Sequence, residues 1–410
     1  MVKSLFNKIR IQKRDFILFL IVGVFLGVGQ SVDGSTLNNF LKEKFDMLIL
    51  QRSALELPRE LPGFLVVVII GFLYTLGDVR IAAVANVLAA GGMFALGIIP
   101  QSYALVLVCI FVYSAGTHVY MPLSNSIAMD FADEGKLGRK LGQVSAANTA
   151  ALVVGSAVLW ALFQFVHISF TTTFTIGAIA FLCAAVLLMF MKPGPPRVEG
   201  SKRFIFRKEY KLFYWLSVLY GVRKQIFITF GPWVLVDVFK QKVTTMTILF
   251  FIISVLGIFF KPLIGHLIDR VGEKFILCAE AAILFVVCFG YSFADMILPV
   301  KGAILLICAC YIIDQLMSSV AMARATYMKK IAIRPEDVSP TLSLGISIDH
   351  IMSMSLPMVG GLVWYGSGSH GYRYVFLAGA VIALVNFFSA RRIRMRQVEE
   401  TVPEELTHEG

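Results

Sequence analysis

Three charged side chains stand together just before an apolar stretch of the sequence. Glu56, Arg59 and Glu60 lie in "LELPRELPGF", residues 55–64, and "LVVVIIGFLY" follows at once. Their i, i+3 and i+4 spacing places all three on one face if the segment is helical. Arg59 could then pair with either carboxylate, leaving the other to bind a proton or a solute. An outer loop with a surface ion pair is the alternative; we favour a helix that faces water inside the protein.

A second group with chemical potential lies deep in another apolar segment. "YGVRKQIF" carries Arg223 and Lys224 well inside this segment. A guanidinium captures carboxylates or phosphates through two parallel hydrogen bonds, and an ammonium acts as a point charge. The alternative is that both side chains snorkel to a membrane surface. We predict that both contact a solute, and that Trp233, which follows "FGP", lines the outer mouth of its path.

These segments must be membrane helices. The 410-residue chain is 58% hydrophobic and 15% charged, whereas soluble domains average about 45–50% apolar and about 25% charged residues. Runs such as "FILFLIVGVFLGVG" are too long and continuous for barrel strands. We therefore predict an all-α polytopic membrane protein. No Cys-x-x-Cys or Cys/His spacing indicates a metal site, and no cofactor is expected.

A charge at the centre of a membrane helix costs about 2.5–3.5 kcal/mol on insertion scales, so such residues are candidates for function. Asp33 is a candidate partner of Arg223 or Lys224, or a site that binds the coupling proton. Asp314 in "YIIDQLMSS" and Asp349 in "SIDHIMS" compete for the proton site, although Asp349 could equally serve a gate or a surface near the inner end of its helix. His118 could titrate near neutral pH or could simply pack. Together with Glu56 and Glu60, these residues are the predicted proton-coupling candidates.

Twelve spans divide into two sets of six. We place them at 15–36, 55–77, 80–99, 102–126, 141–165, 170–191, 212–238, 244–266, 275–294, 301–325, 341–365 and 371–391. The predicted organisation is a segment 1–14, a bundle 15–191, a linker 192–211, a second bundle 212–391 and a tail 392–410. Lys and Arg residues cluster before the first span, in the linker and after the last span, and the positive-inside rule places all three in the cytoplasm.

The two sets look like copies. "LGQVSAANTAALVVGSAVLW" at 141–160 aligns with "LGISIDHIMSMSLPMVGGLVW" at 344–364, and "LGVGQ" at 26–30 aligns with "YGVRK" at 220–224. Parallel six-helix repeats with solute sites near the membrane midplane are one plan of secondary transporters.

The loop between spans 8 and 9 reads "GHLIDRVGEK" and resembles the G-x-L-x-D-R-x-G-R/K motif of the major facilitator superfamily. The matching residues are Gly265, Leu267, Asp269, Arg270, Gly272 and Lys274. The first-half copy keeps Gly71, Leu73 and Gly77 but has Thr75 and Leu76 in place of the Asp and Arg. The resemblance covers about residues 12–396 and implies the superfamily's two-bundle fold.

Within that resemblance, the first helices of the two halves line a central cavity, so Gln30 and Asp33 would face Arg223 and Lys224. An Asp–Arg pair in the loop motif could latch two helices in one state and release them in the other. The alternative is a solvated surface pair worth less than about 1 kcal/mol.

No nucleotide-binding loop, H-E-x-x-H or G-x-S-x-G motif occurs, so we expect neither an ATPase nor an enzyme. The prediction is a secondary active transporter in a bacterial cytoplasmic membrane with both termini inside, coupled to protons, whose solute is an organic anion or zwitterion. A proton-driven exporter of lipophilic cations is the alternative, and a non-transporting receptor or scaffold is the third. Expected partners are the solute, a proton or another ion, and lipids; nucleic acid is not expected, and we predict a monomer.

Overall fold

The computed structural model describes residues 2–98, 102–131, 137–192, 206–334 and 337–394. Every regular element in these ranges is helical. In the first half the α-helices are α1 Val2–Phe45, α2 Ile49–Ala54, α3 Glu56–Phe72, α4 Asp78–Ile98, α5 Tyr103–Asp130, α6 Leu137–Ala161 and α7 Phe170–Phe190. In the second half they are α8 Lys211–Gln225, α9 Gly231–Trp233, α10 Val243–Val271, α11 Glu273–Ile297, α12 Val300–Met317, α13 Ala321–Ile331, α14 Val338–Gly366 and α15 Gly371–Arg391.

Ten helices among the described residues are long and apolar enough to cross a membrane. Two further predicted spans are irregular. The second span contains α3, which has 17 residues and an internal proline, Pro62. The seventh span continues from α8 through π-helical turns at Ile226–Phe230 and Val234–Val238, on either side of the short α9 with Pro232. Proline cannot donate a helical hydrogen bond, so it interrupts regular α-helix. Twelve spans are therefore consistent with the fold.

Each half forms its own bundle. In the first half α1 packs on α6 and α7, and α4 packs on α5 and α7. In the second half α11 packs on α12 and α15, and α8 packs on α14 and α15. The halves meet where α10 contacts α1 and α6, and where α14 contacts α2 and α3.

The bundle has two ends, which we call the terminal face and the opposite face. The terminal face is where α1 begins and α7 ends: Arg14 donates to the Phe190 carbonyl at 3.0 Å, and Arg80 donates to the Met189 carbonyl at 2.7 Å. The opposite face is where α1 ends, beside residues 234–242 of the second half.

The predicted divisions remain predictions. α1 already begins at Val2, so helix extends through the segment predicted to precede the first span. Most of the predicted linker 192–211 and of the tail 392–410 lies outside the described residues, which resume at 206 and end at 394.

Candidate functional site

A cavity of about 700 Å³ lies in the first half, between α1, α3, α5 and α6. Asn125, Gly142 and Ser145 are exposed at its end near the terminal face, whereas Leu37 and Ile110 at the other end are buried. The cavity therefore opens toward the terminal face and is closed toward the opposite face. Its polar wall includes the following side chains: Gln30, Asp33, Arg59, Glu60, His118, Asn125 and Asn148.

The opposite face is closed by contacts between the halves. Lys42 of α1 forms an ion pair with Asp237 at 2.9 Å, and the Asn39 amide donates to the Gln241 carbonyl at 3.0 Å. Gly361 of α14 lies against Ser53 of α2, and a Cβ at this glycine would collide with the serine side chain. A glycine thus permits the close approach of the two helices.

The cluster around Glu56 is helical and buried. Arg59 contacts Glu56 Oε1 through Nη1 at 3.2 Å, and Arg52 of α2 contacts the same oxygen at 2.5 Å. Glu56 and Arg52 are 0% and 1% exposed. The alternative of an outer loop with a surface ion pair is therefore wrong. Trp233 is fully buried, and the Arg52 guanidinium lies 5.9 Å from the centroid of its ring. Trp233 therefore does not line the cavity in this conformation.

At the closed end of the cavity, Glu60 meets two histidines. The His350 Nδ1 of α14 lies 2.9 Å from Glu60 Oε2, which joins the two halves. The centroids of the His118 and His350 rings lie 5.3 Å apart, in an edge-to-face arrangement. Glu60 and His118 also line the cavity.

Arg223 is buried in the second half between two carboxylates. Its Nη1 donates to Asp314 Oδ1 at 3.0 Å, and its Nη2 lies 3.3 Å from Glu280 Oε1. Lys224 points elsewhere and pairs with Asp349 at 2.9 Å. Neither side chain snorkels, and neither pairs with Asp33 as one alternative supposed. The reason is that Arg223 and Lys224 have carboxylate partners within their own half.

The remaining predicted residues have these places. Asp33 lies on the cavity wall, which Tyr113 also lines. Gln30 Oε1 accepts from the Asn148 amide at 3.2 Å. Asp349 lies near the middle of α14, not near its inner end, and contacts Lys224 there.

The loop motif lies at the terminal face. Gly272 links α10 to α11 with φ +83°, a conformation that favours glycine. Asp269, Arg270 and Lys274 are exposed, Gly265 is partly exposed, and none of the three charged side chains forms an ion pair within the described residues. The neighbouring Glu273 is buried and pairs with Lys330 of α13 at 2.7 Å. The latch stays a prediction.

A family profile described as "Major Facilitator Superfamily" matches residues 60–338, about two thirds of the chain. The chain belongs to the Major Facilitator Superfamily. It is a transporter of this superfamily, as predicted, with the all-helical two-bundle fold. A search of curated proteins gave no significant match.

Solved structures share the transporter's fold at low identity. "Crystal structure of nucleoside transporter NupG (D323A mutant)" has 15% identity and a TM-score of 0.74, over 92% of this chain and 98% of that chain. A bacterial homolog of the human lysosomal transporter Spinster, in an inward-facing and unoccupied conformation, has 14% identity and a TM-score of 0.67, over 93% and 97%. A POT family transporter in complex with a thioalcohol-conjugated peptide has 12% identity and a TM-score of 0.67, over 91% and 95%.

Sequence reasoning missed three residues of this transporter. Glu280 is a lone acid in the apolar run "LCAEAAIL", and the cost of a membrane charge is enough to single it out. Arg52 falls between the first two predicted spans, 15–36 and 55–77. His350 directly follows Asp349, but nothing in the sequence indicates that it contacts Glu60, 290 residues away.

Proposed function

We propose that this transporter couples the movement of a small zwitterion or organic anion to protons. The observation that carries the proton coupling is the buried arrangement of two carboxylates around one guanidinium. Arg223, Asp314 and Glu280 are 5%, 3% and 2% exposed. One Arg can neutralise only one carboxylate, and a second buried anion without a partner costs several kcal/mol. Binding a proton to one of them removes that cost.

Hydrogen bonding distinguishes the two acids. Asp314 accepts from Arg223 at 3.0 Å and from the Gln315 amide at 3.1 Å, and both bonds stabilise its ionised form. Glu280 Oε1 has the Arg223 contact at 3.3 Å but no hydrogen bond among the described residues. We therefore place the transported proton on Glu280, with Asp314 ionised in this conformation.

The cavity is the proposed solute site. Arg59 contacts Glu56 through one nitrogen and remains 26% exposed, so further guanidinium donors are free to bind a carboxylate. Asp33 on the same wall could accept an ammonium group. A wall with both signs of charge suits a zwitterion.

A second candidate solute is a lipophilic cation, moved outward. Two acids, Asp33 and Glu60, line the cavity beside one base, Arg59, and apolar side chains such as Leu26 and Met121 complete the wall.

We further propose that the terminal face is cytoplasmic in a bacterial cell membrane, because the basic clusters flank that side. The cavity would then be open inward.

The test uses the full transporter in proteoliposomes loaded with a pH-sensitive dye. Zwitterions, organic anions, sugars and lipophilic cations are added with and without a pH gradient. We expect proton flux with zwitterions or anions, and its loss in Arg59→Gln. Flux with lipophilic cations alone would replace the first solute class by the second.

Glu280→Gln separates coupling from binding. We expect it to exchange solute across the membrane at a rate similar to the unmodified protein but to lose accumulation driven by a pH gradient. Asp295→Asn, at the end of the same helix and paired with Arg373 at 2.6 Å, is the matched control that keeps accumulation. Gradient-driven accumulation in folded Glu280→Gln protein would contradict the assignment of the proton to this residue.

A further inference from the structure

Three side chains from three helices converge at the closed end of the cavity: Glu60 of α3, His118 of α5 and His350 of α14. One ligand atom from each lies within 4.8 Å of the other two. We propose that these residues form a binding site for a divalent transition-metal ion such as Zn²⁺, and that the bound ion clamps the two halves in the present conformation.

The ligand types fit such an ion. Two imidazoles and one carboxylate form a common zinc set, in which a water or another ligand takes a fourth position. Imidazole nitrogen also suits Ni²⁺, Co²⁺ and Fe²⁺, whereas Mg²⁺ and Ca²⁺ prefer oxygen ligands alone. Zn–N and Zn–O distances of about 2.0–2.2 Å in a tetrahedral site place ligand atoms roughly 3.3 Å apart. The three ligand atoms lie within 4.8 Å of one another and His350 Nδ1 lies 2.9 Å from Glu60 Oε2, so small side-chain rotations bring them to that spacing.

Hydrogen bonds orient His118 for metal binding. Its Nδ1 lies 3.0 Å from the Ser114 carbonyl oxygen, which can only accept, so Nδ1 carries the proton. The Ser114 hydroxyl donates its single proton to the Arg59 carbonyl, and its oxygen therefore accepts from the same Nδ1 at 2.9 Å. The Nε2 lone pair of His118 is left for a ligand. Fixing one ring nitrogen in this way is typical of metal-bound histidines.

The surrounding charges favour a cation. Arg59 and Lys224 are near enough to act on Glu60 electrostatically, but Arg59 contacts Glu56 at 3.2 Å and Lys224 contacts Asp349 at 2.9 Å. Among the described residues neither base forms an ion pair with Glu60, so its carboxylate faces the two histidines. The wider cluster holds three bases and four acids, a net charge of −1: Arg52, Arg59, Lys224, Asp33, Glu56, Glu60 and Asp349.

The site is buried but can be reached. The side chains of Glu60 and His350 are 8% and 12% exposed, so the ligands are mostly shielded from water. Glu60 and His118 also line the open cavity, which offers an entry route and room for a fourth ligand. Because His350 belongs to the second half and the other two ligands to the first, the coordination bonds would have to break before the halves could separate at the opposite face. A bound ion therefore favours the state open to the terminal face.

The binding test uses the full-length protein in lipid nanodiscs and measures Zn²⁺ binding by calorimetry and metal analysis. We expect one Zn²⁺ per protein. Removing a ligand by Glu60→Gln, His118→Gln or His350→Asn should weaken binding at least about tenfold. His350→Asp has nearly the same size as His350→Asn but supplies a carboxylate ligand, so it should retain binding. His370→Gln, which changes an exposed histidine outside the site, should bind as the unmodified protein does.

Bound Co²⁺ gives a further readout, because its visible absorption reports the geometry and nitrogen ligation of the metal. We expect a spectrum of histidine-ligated, four- or five-coordinate Co²⁺ that His350→Asn loses. Unchanged Zn²⁺ affinity in all three ligand variants would overturn the site, and so would equal behaviour of His350→Asp and His350→Asn. These measurements do not depend on transport, so they stand or fall separately from the proposed coupling mechanism.

The clamp is tested by the accessibility of the opposite face. Ser53 is 1% exposed beneath α14 and becomes accessible only when the halves separate there. We expect Zn²⁺ to slow alkylation of Ser53→Cys at least tenfold by a membrane-impermeant maleimide, and to have no such effect when His350→Asn is added. The unmodified protein corrects for its native cysteines. An alkylation rate of Ser53→Cys that does not change with saturating Zn²⁺ would overturn the clamp.

Discussion

Replacing Glu56 should destabilise the transporter more than replacing Arg52, although the two form one ion pair. Arg52 is 1% exposed and holds Glu56 Oε1 at 2.5 Å. In Glu56→Gln the buried guanidinium loses its carboxylate, and removing one partner of a buried pair costs about 3–5 kcal/mol. In Arg52→Gln the carboxylate keeps Arg59 at 3.2 Å. The loss is then closer to that of one charged hydrogen bond, about 1.5–3 kcal/mol.

The double variant sharpens the prediction. Arg52→Gln combined with Glu56→Gln leaves Arg59, which is 26% exposed and can be solvated from the cavity. Neither residue of the buried Arg52–Glu56 pair then carries a charge. We therefore expect the double variant to be more stable than Glu56→Gln alone, a non-additivity that follows from contact between the two groups.

Thermal unfolding in one detergent, followed with a thiol-reactive dye, gives the ranking. The assay suits this chain because Cys109, Cys288 and Cys310 are buried and react only on unfolding. Lys240→Gln, in a pair with a 70% exposed lysine, should change stability by less than about 1 kcal/mol and serves as control. If Arg52→Gln lowered the melting temperature as much as Glu56→Gln, the claim that Arg59 holds Glu56 would be refuted.

Two further predictions concern the ends of the bundle. Asp237→Asn removes the Lys42 ion pair between the halves. It should raise the rate of maleimide labelling of Ser53→Cys at the opposite face up to about fivefold, which corresponds to about 1 kcal/mol. Lys240→Gln removes an ion pair of Asp237 within one half and should leave that rate unchanged. At the terminal face, hydrogen bonding from the Tyr210 hydroxyl at 2.7 Å lowers the pKa of Asp337. The resulting stability is present above the ordinary Asp pKa of about 3.9 and is lost as the pH falls through the lowered value. Melting of Tyr210→Phe at pH 7 and at pH 3 tests this: the destabilisation should shrink at the lower pH, and an equal loss at both would contradict it.

Hydropathy was sufficient to predict the helices, because the membrane leaves little choice of backbone structure. The spans predicted at 371–391 and 170–191 match α15 and α7 closely. The irregular second and seventh spans could be predicted as spans but not in detail. Their π-helical and short segments depend on how Pro62 and Pro232 pack in three dimensions, which periodicity does not report.

Pairing of the charges was harder to predict than their presence. The cost of a membrane charge identified Arg223 and Asp314 one by one. Their contact joins residues 91 positions apart, and Glu280 shares the same guanidinium from a third helix. The assumed symmetry between the first helices suggested Asp33 as a partner of Arg223. Symmetry relates the positions of the two helices, but Arg223 and Lys224 pair with carboxylates of their own bundle.

Three polar contacts that help to close the opposite face are individually weak. The Lys42–Asp237 pair contributes at most about 1 kcal/mol, the Asn39 hydrogen bond about 0.5–1.5 kcal/mol, and the approach of Arg52 to Trp233 about 0.5–2 kcal/mol. Their total of about 1–4.5 kcal/mol is below the roughly 5.5 kcal/mol that carries a two-state equilibrium from 1:99 to 99:1. A solute that binds the state open at the opposite face more tightly by the total of these contacts offsets them. Each of these side chains therefore tunes the population of the two states without touching the solute.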